Sequence, residues 1–280
     1  MIRSSFAPGK IILSGEYAVL FEYAGIAVPS SRGLRVVFDE DSHRKNIQIR
    51  WEGVHGESPR AYAEKIVALC QKRVECRGKL IIHGDLPLGK GMGSSTALVI
   101  AIARALLGEN AREGASTIED TLNPGNSGFD FASIWEGAPI LFRKDTSPRT
   151  IHLPGELLRE TLLIDTGLPS QSTTELVAWM RGREKEIRQA LEVIGKCTDR
   201  LMQNESLNLV MRDHHKAQVA LGVVPSIARE LIAAIEQTGG SAKVVGAGSR
   251  NGGAGMVLAI GIQEKIRNIA GLRGFPTMLP

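Results

Sequence analysis

The sequence predicts an α+β fold built from two layered units. Three observations carry this. Stretches of strand-like and helix-like apolar spacing alternate along the chain, without the even strand–helix–strand rhythm of a dinucleotide-binding fold. The chain has 280 residues, and an average domain has roughly 150. The stretch Asp145–Pro154 holds two prolines and no clear hydrophobic period, so it marks a boundary. The expected units are residues 1–148 and residues 149–280.

Residues 9–20 (GKIILSGEYAVL) read as a strand, a turn at the glycine and the start of a second strand. Leu34–Asp39 and Asn46–Trp51 read as short strands joined by a polar turn into a hairpin. Pro59–Arg77 places Ala61, Ile66, Val67, Leu69, Cys70 and Val74 at helical spacing. Lys79–His83 is a strand. Ser94–Leu107 is apolar on nearly every side, so it is expected to be a buried helix, started by serine caps and stopped at Gly108. Residues 109–130 are polar, then glycine-rich. Phe129–Trp135 suggests a short helix and Pro139–Arg143 a strand. After the boundary come a strand (Glu160–Asp165) and helices at 174–203, 206–221 and 225–237. Two more strands follow, Ala242–Val245 and Met256–Ile260, flanking a glycine loop.

Composition narrows the function classes. Apolar residues make up 43% and charged residues 23%, which excludes a disordered chain, a collagen-like fibre and a disulfide scaffold. The net charge of +4 suits an anionic small molecule, but no dense Lys/Arg stripe suggests nucleic acid. Three cysteines in no CxxC pattern are expected as buried free thiols of a reducing compartment. Met1–Phe6 opens no apolar leader, and no apolar run is long enough for a membrane span. The expectation is a cytoplasmic protein with a small-molecule substrate and neither nucleic acid nor membrane as partner.

Glycine is over-represented, at 31 residues, and clusters in three places. The first, Pro87–Thr96 (PLGKGMGSST), runs directly into the buried helix. Glycines let backbone approach a ligand closely, and a helix N-terminus presents unpaired N–H groups with partial positive charge. Together they suit a phosphate. Lys90 adds a cation, and Ser94 and Ser95 offer hydroxyls. The spacing fits neither the Walker A nor the GxGxxG pattern. The second cluster, Gly246–Gly255, is longer than a hairpin needs. The third, Gly125–Asp130, places a carboxylate behind a glycine turn; alone it reads equally as a helix cap. The adjacent His214 and His215 read as surface residues, and Arg181–Arg188 as a solvated helix face.

Ala7–Leu20 (APGKIILSGEYAVL) resembles the first motif of the GHMP kinases. Pro87–Ala97 is similar to their second motif, PxxxGLGSSAA, with Met92 and Thr96 as departures. Ala242–Gly255 resembles their third, with Val245 in place of the usual Thr and a longer loop. The resemblance implies a two-domain kinase, a ribosomal-protein-like N-terminal domain on a ferredoxin-like C-terminal one, with ATP and Mg²⁺ in the cleft. A homodimer is left open. Ile164–Val177 resembles the DTG segment of the mevalonate-kinase branch. Tyr17 in place of His, the missing proline at Ser127–Asp130, and Gln171 in place of Arg lean toward the phosphomevalonate-kinase branch. Mevalonate is therefore the first acceptor expected, phosphomevalonate the alternative. A non-catalytic nucleotide-binding protein on the same fold is a remote third.

The resemblance also implies residue roles. Asp130 accepts the acceptor's hydroxyl proton, and Lys10 stabilises the transferring charge beside it. Lys90, Gly91, Met92, Gly93, Ser94, Ser95 and Thr96 hold the phosphates, with Gly246, Ala247 and Gly248 closing over them. Ser95 ligates Mg²⁺, with Glu119 at the family's spacing before Asp130 and Asp120 competing for that place. Glu16, Tyr17 and Thr173 lie at the acceptor end.

Overall fold

The computed structural model describes residues 1–52, 57–108, 111–154 and 157–280. The first sheet contains β1 (Ile2–Ser14), β2 (Gly25–Glu40), β3 (Ile47–Glu52), β4 (Gly78–Gly84), β5 (Ile140–Phe142) and β6 (Arg149–Thr150). Strands β1 and β2 are antiparallel from Ile2 opposite Asp39 to Ser14 opposite Ile26. The far edge of β2 is shared by β4 and β5. The second sheet contains β7 (Thr161–Asp165), β8 (Ser241–Val244), β9 (Met256–Ile260) and β10 (Thr277–Met278), ordered β10-β7-β9-β8 and antiparallel throughout.

Nine helices are described: α1 (Glu57–Gln71), α2 (Ser94–Leu107), α3 (Ala111–Leu122), α4 (Phe129–Glu136), α5 (Thr173–Arg181), α6 (Glu184–Met202), α7 (Leu207–Leu221), α8 (Ser226–Glu236) and α9 (Gln263–Gly271). Helix α2 has the bounds its all-round apolar pattern predicts, and it ends at Gly108 with φ of 60°. Its Leu98, Val99, Ile100, Ile102 and Leu106 are buried in the main core. Each such side chain favours the folded state by about 1.5–3 kcal/mol over exposure. That core joins both sheets, with Val28 and Leu80 of the first and Leu163, Met256 and Leu258 of the second. The expected boundary at 148/149 falls inside the β5–β6 connection, because Arg149 and Thr150 pair with Leu141 and Ile140.

Helix α7 closes the free edge of β8. Gln218 Nε2 donates to Val244 O (2.9 Å), and Gln218 Oε1 accepts from Val244 N–H (3.2 Å). Arg212 Nε donates to Ser241 Oγ (2.9 Å). Backbone groups that an edge strand would leave unpaired are satisfied by side chains instead.

Several local readings change. The second and third strands do not form a hairpin. Strand β4 lies between them, antiparallel to β2 and parallel to β3, so β3, α1 and β4 make a crossover unit. The residues after Gly15 form a 3₁₀ turn at Ala18–Phe21, not a strand. The helix read at 174–203 is two helices. It breaks at Gly182, and Arg183 turns to stack over Trp179 at 4.2 Å. Helix α3 has no counterpart in the sequence reading because its buried face is Ala111, Gly114, Ala115, Ile118 and a glutamate, Glu119. His214 and His215 are buried, not exposed, because α7 packs between α6 and β8. Cys70, Cys76 and Cys197 are buried free thiols. Burial pushes the Cys70 thiol up to about 12 and Cys197 to about 11.

Gln218→Leu should leave the Val244 N–H unpaired in a buried setting, with Val244 O keeping only its bond from Lys243 Nζ, and destabilise the protein by about 1–3 kcal/mol. Urea unfolding measures this. A loss below about 1 kcal/mol, the worth of a single ordinary hydrogen bond, would show that β8 does not depend on α7.

Candidate active site

A cavity of about 500 Å³ opens between the two sheets. One wall is the loop of residues 87–93 and the N-terminus of α2. Gly89, Gly91 and Gly93 all have positive φ. Ser94 Oγ accepts from Gly89 N–H (3.1 Å) and closes this loop on itself. No side chain caps α2, so its N-terminal partial charge is left for an anion. Ser95 is exposed and, with Ser94 and Thr96, lines the cavity.

Lys10 emerges from β1 with its side chain only 3% exposed, and its Nζ lies 3.1 Å from Asp130 Oδ1 on the first turn of α4. Asp130 itself is 40% exposed to the cavity. The Lys10 stem crosses Gly93, where a Cβ would stand 3.0 Å from Lys10 Cγ and 2.7 Å from Ile134 Cδ1. The Lys10 N–H also donates to Met92 O (3.0 Å), which ties β1 to the phosphate-facing loop.

Glu119 projects from α3 into the same space and is 4% exposed. Its Oε1 accepts from Thr96 Oγ1 (2.8 Å) and Asn123 Nδ2 (3.0 Å). Its Oε2 is buried without a hydrogen-bond partner. Burial pushes this carboxyl up to about 7, with the Asp130 charge adding to the rise against the bond from Thr96. A buried carboxylate oxygen lacking a partner, next to an exposed serine hydroxyl, is a donor set that suits Mg²⁺, a hard cation.

The opposite wall is residues 246–255. Tyr17 Oη donates to Ala247 O (2.5 Å) while Tyr17 holds φ of 64°, a strained value for a non-glycine residue. Gln171 Oε1 accepts from Arg250 N–H (2.9 Å) and lies 3.0 Å from Ser249 Oγ. Thr173 opens α5, whose Ser172 and Glu175 form a reciprocal capping box at the cavity rim.

A description of the GHMP kinases N terminal domain matches residues 61–132. The mevalonate kinase of Archaeoglobus fulgidus is 30% identical over 264 residues, covering 86% of this chain and 88% of that protein. The chain belongs to the GHMP kinase family. The mevalonate kinase of Pyrococcus furiosus is 26% identical over 327 residues, covering 98% of this kinase and 94% of that one. A crystal structure of mevalonate kinase superposes with a TM-score of 0.79 at 18% identity, covering 99% and 98% of the two chains. At that identity the match speaks for the fold, which is mixed α/β as the sequence predicts. Family membership makes the chain an ATP-dependent phosphotransferase, and among the described residues no helix is long and apolar enough to cross a membrane.

The kinase brings most of the expected site residues to one cavity. Lys10, Gly91, Gly93, Ser94, Ser95, Thr96, Glu119, Asp130, Thr173 and Gly246–Gly248 all line it. Four placements differ from the sequence reading. Lys90 turns away from the cavity and pairs with Asp165, a half-buried carboxylate at the end of β7. Met92 is buried in the main core. Asp120 is exposed and holds Asn126, which leaves Glu119 as the acid at the cavity. Glu16 touches the cavity, but its carboxylate is turned into the protein against Lys243 and His214. Sequence reasoning passes over Lys243 and reads His214 as a surface residue. A lysine inside the apolar run Ser241–Val245 was the available signal, because such a charge must be paired.

The raised Glu119 carboxyl has a consequence for stability. Its folded value of about 7 exceeds the ordinary 4.5, so the folded state holds this proton more tightly. The resulting stabilisation is complete below pH 4.5 and is lost as pH rises through 7. His214 and His215, which burial keeps neutral, act in the opposite sense below pH 6.5. Urea unfolding without divalent cations should therefore show wild type losing stability relative to Glu119→Gln between pH 4.5 and 7. Parallel pH profiles for the two proteins would contradict the assignment.

Proposed function

We propose that this kinase transfers the γ-phosphate of ATP to the hydroxyl of mevalonate. The observation that carries the reading is the Lys10–Asp130 pair, 3.1 Å apart, set beside an uncapped helix N-terminus. The relatives named as mevalonate kinases supply the acceptor.

The backbone of residues 91–96 would hold the phosphates, with Gly246–Gly248 facing them. Glu119 and Ser95 would hold Mg²⁺, which neutralises phosphate charge when bound. Asp130 is open enough to meet an acceptor and takes the hydroxyl proton as the oxygen attacks the γ-phosphorus and ADP leaves. Lys10, buried up to its ammonium, offsets the charge that gathers on the transferring group. Thr173, at the start of α5, offers a hydroxyl to the acceptor at the cavity rim.

The test follows ADP release with mevalonate and with phosphomevalonate in separate reactions. Release with mevalonate is expected. Release with phosphomevalonate alone would move the acceptor, and release with neither would end the reading. Asp130→Asn should lower kcat by about 10²–10⁴-fold with ATP affinity little changed. Lys10→Met should cost on the order of 10²–10³-fold, and the double variant far less than the product, since both residues serve one transfer. Near wild-type kcat in a folded Asp130→Asn protein would remove Asp130 from the mechanism.

A further inference from the structure

Behind Lys10 lies a group of charges that the transfer reaction does not use. Glu16, Lys243 and His214 have side chains at most 1% exposed. They come from three elements: the corner after β1, the middle of β8, and α7. Lys243 Nζ donates to Ile12 O (2.9 Å), to Val244 O (3.2 Å) and to the Glu16 carboxylate. An ammonium has three N–H donors, and all three are taken, so none remains for a ligand. Glu16 Oε2 lies 3.0 Å from His214 Nε2. The Lys243 and Glu16 charges cancel, and burial keeps His214 neutral.

Buried ion pairs are poor stability devices, because desolvation offsets their attraction. Their other effect is to fix geometry, and here the geometry needs fixing. The β1–β2 ladder is irregular between Pro8 and Lys10 and again between Ile12 and Ser14. The segment that carries Lys10 is therefore paired over only three residues, Lys10–Ile12 opposite Pro29–Ala27, between two irregularities. Lys243 holds Ile12 O, two residues from Lys10, and draws Glu16 inward at the far end of the same segment. Tyr17 follows with its strained φ and its bond to Ala247 O.

We propose that Lys243 is a positioning residue, which through Ile12 and Glu16 fixes the β1 corner against the second sheet and so sets Lys10 against Asp130. This rests on the reading of Lys10 and Asp130 given above. The experiment takes the full chain and compares Lys243→Met, Glu16→Gln, their double variant and Lys10→Met. It reads kcat, KM for ATP and for mevalonate, ADP affinity by titration, and urea stability. Lys243→Met strands the Glu16 charge and should lose stability, which the double variant should recover by removing both charges. The double variant should nonetheless keep kcat at least about tenfold below wild type, because small misplacements of reacting groups are costly. Its ADP affinity should stay within about twofold of wild type, since the phosphate-facing backbone is untouched. A double variant that regains both stability and wild-type kcat would overturn the proposal. Glu16→Gln keeps the volume, an amide oxygen that can accept from Lys243, and both carbonyl bonds of Lys243, so it serves should the others not fold: kcat close to wild type is expected, and a loss of about tenfold or more with Lys243 still held on Ile12 O would overturn the proposal. If Lys10→Met itself keeps wild-type kcat, the reading of Lys10 falls. If Lys10→Met loses rate while Lys243→Met and the double variant do not, only the positioning role falls.

Discussion

The architecture depends on one close approach of backbone to backbone between the two glycine loops. Gly91 lies on Val245 so tightly that a Cβ would stand 2.3 Å from its carbonyl oxygen. Met256 N–H donates to Lys90 O (3.0 Å) across the same seam. Lys90 reinforces it by pairing with Asp165, whose other carboxylate oxygen accepts from Gly167 N–H (3.0 Å). The walls of the cavity are therefore held together by protein contacts. The glycines of the two loops serve this packing as much as any ligand. The preorganisation matters because phosphoryl transfer relies on placement and charge more than on covalent chemistry.

From the seam outward, charge is arranged by depth. Lys243 and Glu16 are sealed, Lys10 is buried up to its ammonium, and Asp130 meets the cavity. Each layer holds the next. The sealed pair sits against the strand that carries Lys10, and Lys10 contacts the acid that an acceptor would meet. Glu119 lies to one side, its carboxyl raised by burial and one oxygen unpartnered, so the site holds two acids in contrasting surroundings.

Much of this was legible in the sequence, for identifiable reasons. The loops announce themselves because positive φ selects glycine. Helix α2 is plain because it is apolar on every side. What stayed hidden depends on partners distant in the chain. The insertion of β4 between β2 and β3 is a long-range choice that the polar turn at 41–46 does not reveal. Helix α3 spends its buried face on Glu119 and small residues, so the pattern that marks a helix is weakened where the site needs an acid. The pairing of Lys243 with Glu16 spans 227 positions. Residue type alone says that such a lysine needs a partner, not which one. Lys90 shows the converse, since a cation in a phosphate-facing loop can still point away from it.

The fate of the three cysteines has a practical side. All are buried, and Cys70 and Cys197 have thiols pushed far from ionisation at neutral pH. Thiolate is the reactive form, so maleimides, disulfide reagents and peroxide find little to attack in the folded chain. A single cysteine introduced on the rim of the cleft would carry a fluorophore or spin label on an otherwise silent background. The distance between the two sheets could then be followed during turnover without first stripping the native cysteines from the core.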